Sequence, residues 1–370
     1  MLPSSFQKIS VWLIILLSIG FLGWFFLKLL NPPRESFLLI EERPKIEGPK
    51  TELEEKIGQL FIVGFEGKIV TPQLEDFFKK YRPGGVLLLS KNIENKEQLK
   101  NLISDLQTLS LKETGLPLFI TVDQEGGPIS RIGFLKEKTG QSEIGNSERA
   151  YQIGLKRGSE ILQLGANLNF APVLDDAKIG DFLFSRSFQK SATIADQLAE
   201  FLIRGQKKAG ILSAIKHFPG YVGINFNPEE KLAVVEKIPE ISQFKKALEA
   251  KPEFVMTSNV VYKEIDPILP FTFSQKGIQF LKNKLGEEIL IISDDLDQNS
   301  LLNEFTLKEI VSGPIEAGVD ILIFSGYRLP AEEGLDAFLT AFYDEEISRE
   351  KVKAAISKII QIKQKLLKPR

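Results

Sequence analysis

Short apolar runs recur along the chain, separated by amphipathic stretches. The runs are Gln59–Phe65, Gly85–Leu89, Pro117–Val122, Ala166–Pro172, Leu212–His217, Glu253–Thr257, Ile289–Ser293 and Val319–Phe324. Each has the length of a strand and alternates too little to leave one face in water, which is the pattern of strands covered on both sides. The stretches between them have helical spacing. Leu74, Phe77, Phe78 and Tyr81 share a face, as do Leu99, Leu102, Ile103 and Leu106. Ile194, Leu198, Phe201 and Leu202 form another stripe, and Val352 to Leu366 a last one. Eight strands alternating with helices over roughly 300 residues predict a (β/α)8 TIM-type barrel, with a doubly wound open sheet as the alternative.

A different pattern precedes these runs. Val11 to Leu27 carries no charge, and the apolar stretch continues past Lys28 to Leu30. About 20 apolar residues cross a bilayer as a helix, so 11–30 is expected to be a transmembrane anchor after a short tail, 1–10. Trp12 and Trp24 suit the interfaces, and the run ends in Leu-Leu-Asn-Pro-Pro rather than a small-x-small cleavage site. Residues 31–50, rich in Pro, Glu, Arg and Lys, read as a linker to a barrel domain at 51–370. The expected location is the cell membrane, single-pass, with the barrel extracytoplasmic.

Charge and composition narrow the chemistry. With 47 basic and 49 acidic residues the net charge is -2, so no nucleic-acid partner is indicated. Cysteine is absent, which excludes disulfides and thiol catalysis, and one histidine excludes a histidine-rich metal site. No metal or organic cofactor is implied. Catalysis would have to run on carboxylates, lysine, hydroxyls and the single imidazole of His217. A barrel gathers its reactive groups at the carboxyl ends of its strands. There the third run ends in Asp123-Gln124-Glu125-Gly126-Gly127, with Arg131 just beyond. The fourth leads to Asp175 and Arg186, the fifth ends in Lys216-His217, and the seventh in Ser293-Asp294-Asp295.

Six stretches, PGGVLLLSKNI (83–93), VDQEGGPISRI (122–132), NFAPVLD (169–175), SRSF (185–188), KHFPG (216–220) and ISDDL (292–296), together resemble glycoside hydrolase family 3. They are most similar to its single-barrel β-N-acetylglucosaminidase (β-N-acetylhexosaminidase) branch, occur in that family's order and cover most of residues 51–330. The resemblance implies a retaining glycoside hydrolase acting on a carbohydrate, with Asp294 as nucleophile. It also implies that Asp123, Arg131, Arg186, Lys216 and His217 hold the terminal sugar, which is expected to be β-linked N-acetylglucosamine from glycans or cell-wall fragments.

The chain departs from that branch where the proton is handled. The branch follows KHFPG with His-Gly and then an Asp-x-His pair on a mobile loop; here Tyr221-Val222 and Asn227-Pro228-Glu229 occupy those places. Pro128, Asn259 and Gln298 stand where the family often has Arg, His and Met. Three readings remain open. Glu229 or Glu230 is the acid/base, with Glu229 taken as the catalytic partner of Asp294; the acid comes from another loop; or the site binds glycans without cleaving them. A β-glucosidase-type specificity on the same barrel is a further alternative. Non-catalytic roles compete residue by residue: Ser-Asp at a strand-to-helix junction caps helices, and Pro-Glu-Glu commonly starts one.

Overall fold

The structure, a computed structural model, describes residues 51–367. Eight parallel strands close into a barrel: β1 (Phe61–Val63), β2 (Gly85–Leu88), β3 (Phe119–Val122), β4 (Leu168–Asn169), β5 (Leu212–Phe218), β6 (Phe254–Thr257), β7 (Leu290–Asp295) and β8 (Ile321–Phe324). Sequential strands are neighbours, and β1 pairs with both β2 and β8, through Val63 against Val86 and Phe324. That closure excludes the open sheet. Every apolar run became a barrel strand, because a strand buried on both faces has to be apolar nearly throughout.

Helices cross between the strands: α1 (Pro72–Tyr81), α2 (Lys96–Thr114), α3 (Ser147–Leu162), α4 (Ala192–Ala209), α5 (Ser242–Ala247), α6 (Gln275–Leu285) and α7 (Leu307–Ala317). Two more, α8 (Ala331–Tyr343) and α9 (Arg349–Leu366), complete the ring. Local chemistry sets their ends. Thr71, with Pro72 behind it, caps α1, while Thr306 and Glu309 form a reciprocal capping box on α7. Gly115, Gly210 and Gly318 stop α2, α4 and α7 in the left-handed conformation. Gly154 and Gly205 let α3 and α4 touch backbone to backbone, since a Cβ on either would run into a carbonyl of the other helix.

The architecture corrects one expectation. A barrel preceded by a transmembrane helix was anticipated, but among the described residues no helix is long and apolar enough to cross a membrane. The long helices α2, α4 and α9 each carry a charged outer face, as helices packed on one side of a barrel must. The apolar run at 11–30 lies outside the described residues, as does the linker at 31–50.

Inside the barrel, Phe119 on β3 meets Phe254 on β6 edge-to-face with ring centroids 5.4 Å apart. Below them lies an unusual group for a core, the fully buried ammonium of Lys363 from α9. Its Nζ donates to Gln59 Oε1 (2.7 Å) and sits 5.1 Å from the Phe119 ring centroid. Burial pushes its pKa down to about 7. An unfolded lysine titrates near 10.4, so between these values the unfolded chain holds a proton that the folded one lacks. Stability should therefore rise with pH from about 7 towards 10, by at most about 1.4 kcal/mol per unit. Replacing Lys363→Met should flatten that slope and raise the urea midpoint at pH 7. Parallel urea titrations at pH 7 and 9 check this; an unchanged slope in the variant would refute the burial argument.

Candidate active site

At the carboxyl ends of the strands, a cavity of about 680 Å³ opens. Its floor is a knot of charges. Glu125, just past β3 and 1 % exposed, receives both Nε (2.9 Å) and Nη2 (2.7 Å) of Arg186. Lys216, near the end of β5, sits 2.6 Å from Glu125 Oε1 and 2.6 Å from Asp123 Oδ1. Burial alone would raise the pKa of Glu125, but Arg186 and Lys216 outweigh it and hold the group at about 2. Arg186 is affected in turn: burial lowers its pKa, and Glu125 more than restores it. The segment carrying these acids is itself tied down from beneath, where buried Arg157 of α3 donates to the carbonyls of Glu125 and Thr139. Two acids and two bases thus neutralise one another. Arg131, on the same wall, has a buried Nε without a hydrogen-bond partner.

The second wall is built around Asp175, whose side chain is fully buried. Asp175 accepts from the backbone N–H of His217 (3.1 Å), from the His217 ring at Nδ1 (2.8 Å) and from the Tyr221 backbone N–H. A carboxylate accepts, so the His217 ring donates to Asp175 from Nδ1 and turns Nε2 away from it. Fixing the backbone of Tyr221 aims its ring at β7. The phenol donates to Asp294 Oδ2 (2.7 Å), and the Asp295 backbone N–H donates to Asp294 Oδ1 (2.8 Å). Asn259 N–H donates to the same phenol oxygen (2.8 Å), which leaves the phenol hydrogen directed at Asp294. Burial first, and the Asp294 charge second, push the Tyr221 pKa well up, so the phenol keeps that hydrogen. The Asn259 side chain donates in turn to Asp295 O (3.0 Å) and to Gln298 Oε1 (3.3 Å). Tyr221, Asn259 and Gln298, three positions that depart from the expected pattern, are therefore one hydrogen-bonded unit around Asp294.

The third wall carries two further acids, Glu229 and Glu230. Asn227 turns the chain by accepting from Glu229 N–H (3.0 Å), and Glu229 O accepts from Ser300 N–H (2.9 Å). The carboxylate of Glu230 lies between Arg328 Nη2 (2.5 Å) and Asn299 Nδ2 (2.6 Å). These two donors, Arg328 first, lower its pKa and keep it an anion. Glu229 reaches Arg328 only at 3.5 Å; its side chain is about half exposed and lines the cavity with Asp294. Arg328 is placed by Asp297, whose buried carboxylate accepts from the N–H groups of Tyr327 (2.7 Å) and Arg328 (3.1 Å) and from Ser325 Oγ (3.1 Å). Beside it, burial and then the charge of Asp297 push the Asp295 pKa well up.

Asp123, Arg131, Arg186, Lys216, His217, Glu229 and Asp294 all line this one cavity, as the strand-end reasoning anticipates. Arg186 and Lys216, expected to hold the sugar, also engage the buried carboxylate of Glu125, because a charge at that depth needs a partner. Glu125, Asp175 and Tyr221 were missed as site builders. The first two were visible as acids at strand ends, but nothing in the sequence announces which cation or N–H each will meet.

A model of the glycosyl hydrolase family 3 N terminal domain matches residues 52–362. The chain belongs to glycoside hydrolase family 3. Among curated family 3 relatives, it is 28 % identical over 331 residues to beta-hexosaminidase A of Pseudoalteromonas piscicida, covering 80 % of this chain but 55 % of that protein. It is 30 % identical over 303 residues to a beta-hexosaminidase of Neisseria gonorrhoeae, covering 74 % and 82 % respectively. A glycoside hydrolase family 3 β-N-acetylglucosaminidase from Paenibacillus superposes with a TM-score of 0.79 at 28 % identity, over 85 % of this chain and 62 % of that one. The chain thus spans little more than half the length of some relatives and most of others.

Within this family 3 site the Asp295–Asp297 pair makes a stability prediction. Asp297→Ala leaves the Arg328 N–H and the Ser325 hydroxyl without their acceptor and the Tyr327 N–H with only Ser325 Oγ, and should cost about 3 kcal/mol in chemical denaturation. Asp295 behaves oppositely: its folded pKa lies above the unfolded one, so its contribution is full at low pH and lost as pH rises past about 4. Asp295→Asn, which mimics the protonated acid, should be at least as stable as the native protein at pH 8. Native-like stability of the Asp297→Ala variant would sink this account of the loop.

Proposed function

We propose that the chain is a retaining glycosidase that releases terminal β-linked N-acetylglucosamine. The observation that carries this reading is Asp294, an anchored carboxylate on the wall of a cavity whose floor presents paired acids and bases to a polyhydroxylated ligand. The choice of sugar is supported by the names of the relatives, beta-hexosaminidase and β-N-acetylglucosaminidase.

In this mechanism the terminal sugar rests on the floor, with Asp123 accepting from its hydroxyls and Arg131 donating to its oxygens. Asp294 attacks the anomeric carbon while an acid protonates the departing glycosidic oxygen, forming a glycosyl ester. Glu229 is assigned as that acid. Glu230 is the weaker candidate, since the Arg328–Asn299 clamp stabilises its anion and leaves no proton to give. Glu229 then takes a proton from water, which cleaves the ester and returns both carboxyl groups to their starting states. Tyr221 is a positioning residue: it holds the nucleophile's unreacted form, and its phenol hydrogen has no competing acceptor.

Three variants test these roles on an activated aryl β-N-acetylglucosaminide. Asp294→Ala should abolish turnover. Glu229→Ala should slow natural linkages by about 10²–10⁴; with the activated substrate the first burst of aryl release should survive while steady turnover falls, and azide should restore that turnover with formation of the β-glycosyl azide. Tyr221→Phe should lower kcat about 10- to 100-fold, the worth of one hydrogen bond to a carboxylate, with little change in KM. Azide rescue of Glu230→Ala but not Glu229→Ala would transfer the acid role. Sugar binding without turnover by the native protein would turn the reading to a glycan-binding protein.

A further inference from the structure

One cation stands between the two carboxylates of the third wall. Arg328 Nη2 is 2.5 Å from Glu230 Oε1 and 3.5 Å from Glu229 Oε2. The guanidinium is held in place: Asp297 accepts from the Arg328 backbone N–H, the side chain is 12 % exposed, and it stacks 5.2 Å from the Tyr327 ring centroid. Glu230 is held as firmly. Its second oxygen accepts from Asn299 Nδ2 (2.6 Å), on the short helix Asn299–Leu302 that follows β7. Ser300 of that helix donates its N–H to Glu229 O (2.9 Å). The turn that bears both acids is thus docked against the segment that leaves Asp294.

The other charges of the cavity are engaged elsewhere or are themselves acids. Asp294 and Asp295 come from β7, and the floor acids and bases pair with one another. Lys91 is paired with Glu66, and Lys231, next in the chain after Glu230, lies 5.3 Å from the Phe226 ring centroid. Arg328 is therefore the cation that reaches Glu229. A nearby cation favours the anion of a carboxylic acid, so an uncompensated guanidinium there would strip a general acid of its proton. Glu230 takes up that charge, because Arg328 first and Asn299 second stabilise its own anion.

From this we infer that Glu230 is a positioning residue, which keeps Arg328 off Glu229 and anchors the turn so that Glu229 is left to carry the proton. The inference rests on the reading of Glu229 as the acid and adds to it the neighbour that lets it act as one.

The test is the pH dependence of kcat/KM, which reports the free enzyme and the first chemical step, on two substrates. One is the β-1,4-linked disaccharide of N-acetylglucosamine, whose leaving group needs a proton. The other is the activated aryl β-N-acetylglucosaminide, whose leaving group does not. Glu230→Gln keeps the length of the side chain and an acceptor for Asn299 but releases Arg328 to Glu229. The alkaline limb with the disaccharide should move to lower pH by about half a unit, the size expected of an ion pair half in water. Arg328→Gln should move that limb to higher pH, since Glu230 then stands beside Glu229 as an unpaired anion. The double variant, neutral again, should return the limb to its native place. The aryl profile should keep its native shape throughout, which also shows that the variants are folded.

A merely structural role for Glu230 lowers both profiles and moves neither limb. That result, a shift common to both substrates, or a double variant that stays shifted would overturn the proposal. Glu229→Ala tests the underlying reading separately. If it abolishes the disaccharide limb while Glu230→Gln leaves the limb in place, only the role of Glu230 is lost. A limb that persists in Glu229→Ala puts the acid elsewhere, and this inference falls with that assignment, as it does if the native protein cleaves neither substrate.

Discussion

The site depends first on one buried anion. Glu125 is sealed from water, and a lone carboxylate there would be too costly to keep ionised. Arg186 and Lys216 supply the compensating charge from the loop after β4 and the end of β5, so neutrality of the floor is obtained only when three parts of the barrel close together. Everything above inherits that arrangement. Asp123 is placed by the Lys216 it shares with Glu125, and the KHFPG segment continues from Lys216 into the turn that aims Tyr221 at Asp294. Removing one partner would leave an uncompensated charge in the core, a loss of about 3–5 kcal/mol for pairs of this kind.

The barrel was legible because burial on both faces writes itself into consecutive residues. The runs Leu212–His217 and Glu253–Thr257 match strands Leu212–Phe218 and Phe254–Thr257 to within a residue, and their order around the barrel follows from chain order. The site was legible only as a list. That Asp294 and Asp123 converge follows from their places at strand ends; that Arg186 spends Nε and Nη2 on Glu125 does not. Such pairing depends on the turn each loop takes after its strand, which no local periodicity encodes. The apolar run at 11–30 is of another kind: its composition is sufficient to span a bilayer, but it lies outside the described residues, whose architecture is the barrel.

The departures from the family pattern gain meaning in three dimensions. Taken singly, Tyr221, Asn259 and Gln298 look like scattered losses of histidine and methionine. In space they touch one another and Asp294 through phenol, backbone and amide groups that do not change charge near neutral pH. A neutral hydrogen-bonded frame has taken the place of imidazoles, and the carboxylates that remain are separated by their surroundings: Glu230 fixed as an anion, Asp295 driven towards its neutral form, Glu229 left half in water.

Asp297 has a consequence that reaches past its own hydrogen bonds. It pins two consecutive residues whose side chains diverge, Tyr327 towards solvent at the cavity and Arg328 onto the acidic turn. The exposed ring and the grip on that turn thus share a single short piece of backbone. Two surfaces of the cavity with different chemistry hang from one hidden carboxylate, so a change at a residue that never meets solvent would be felt on both.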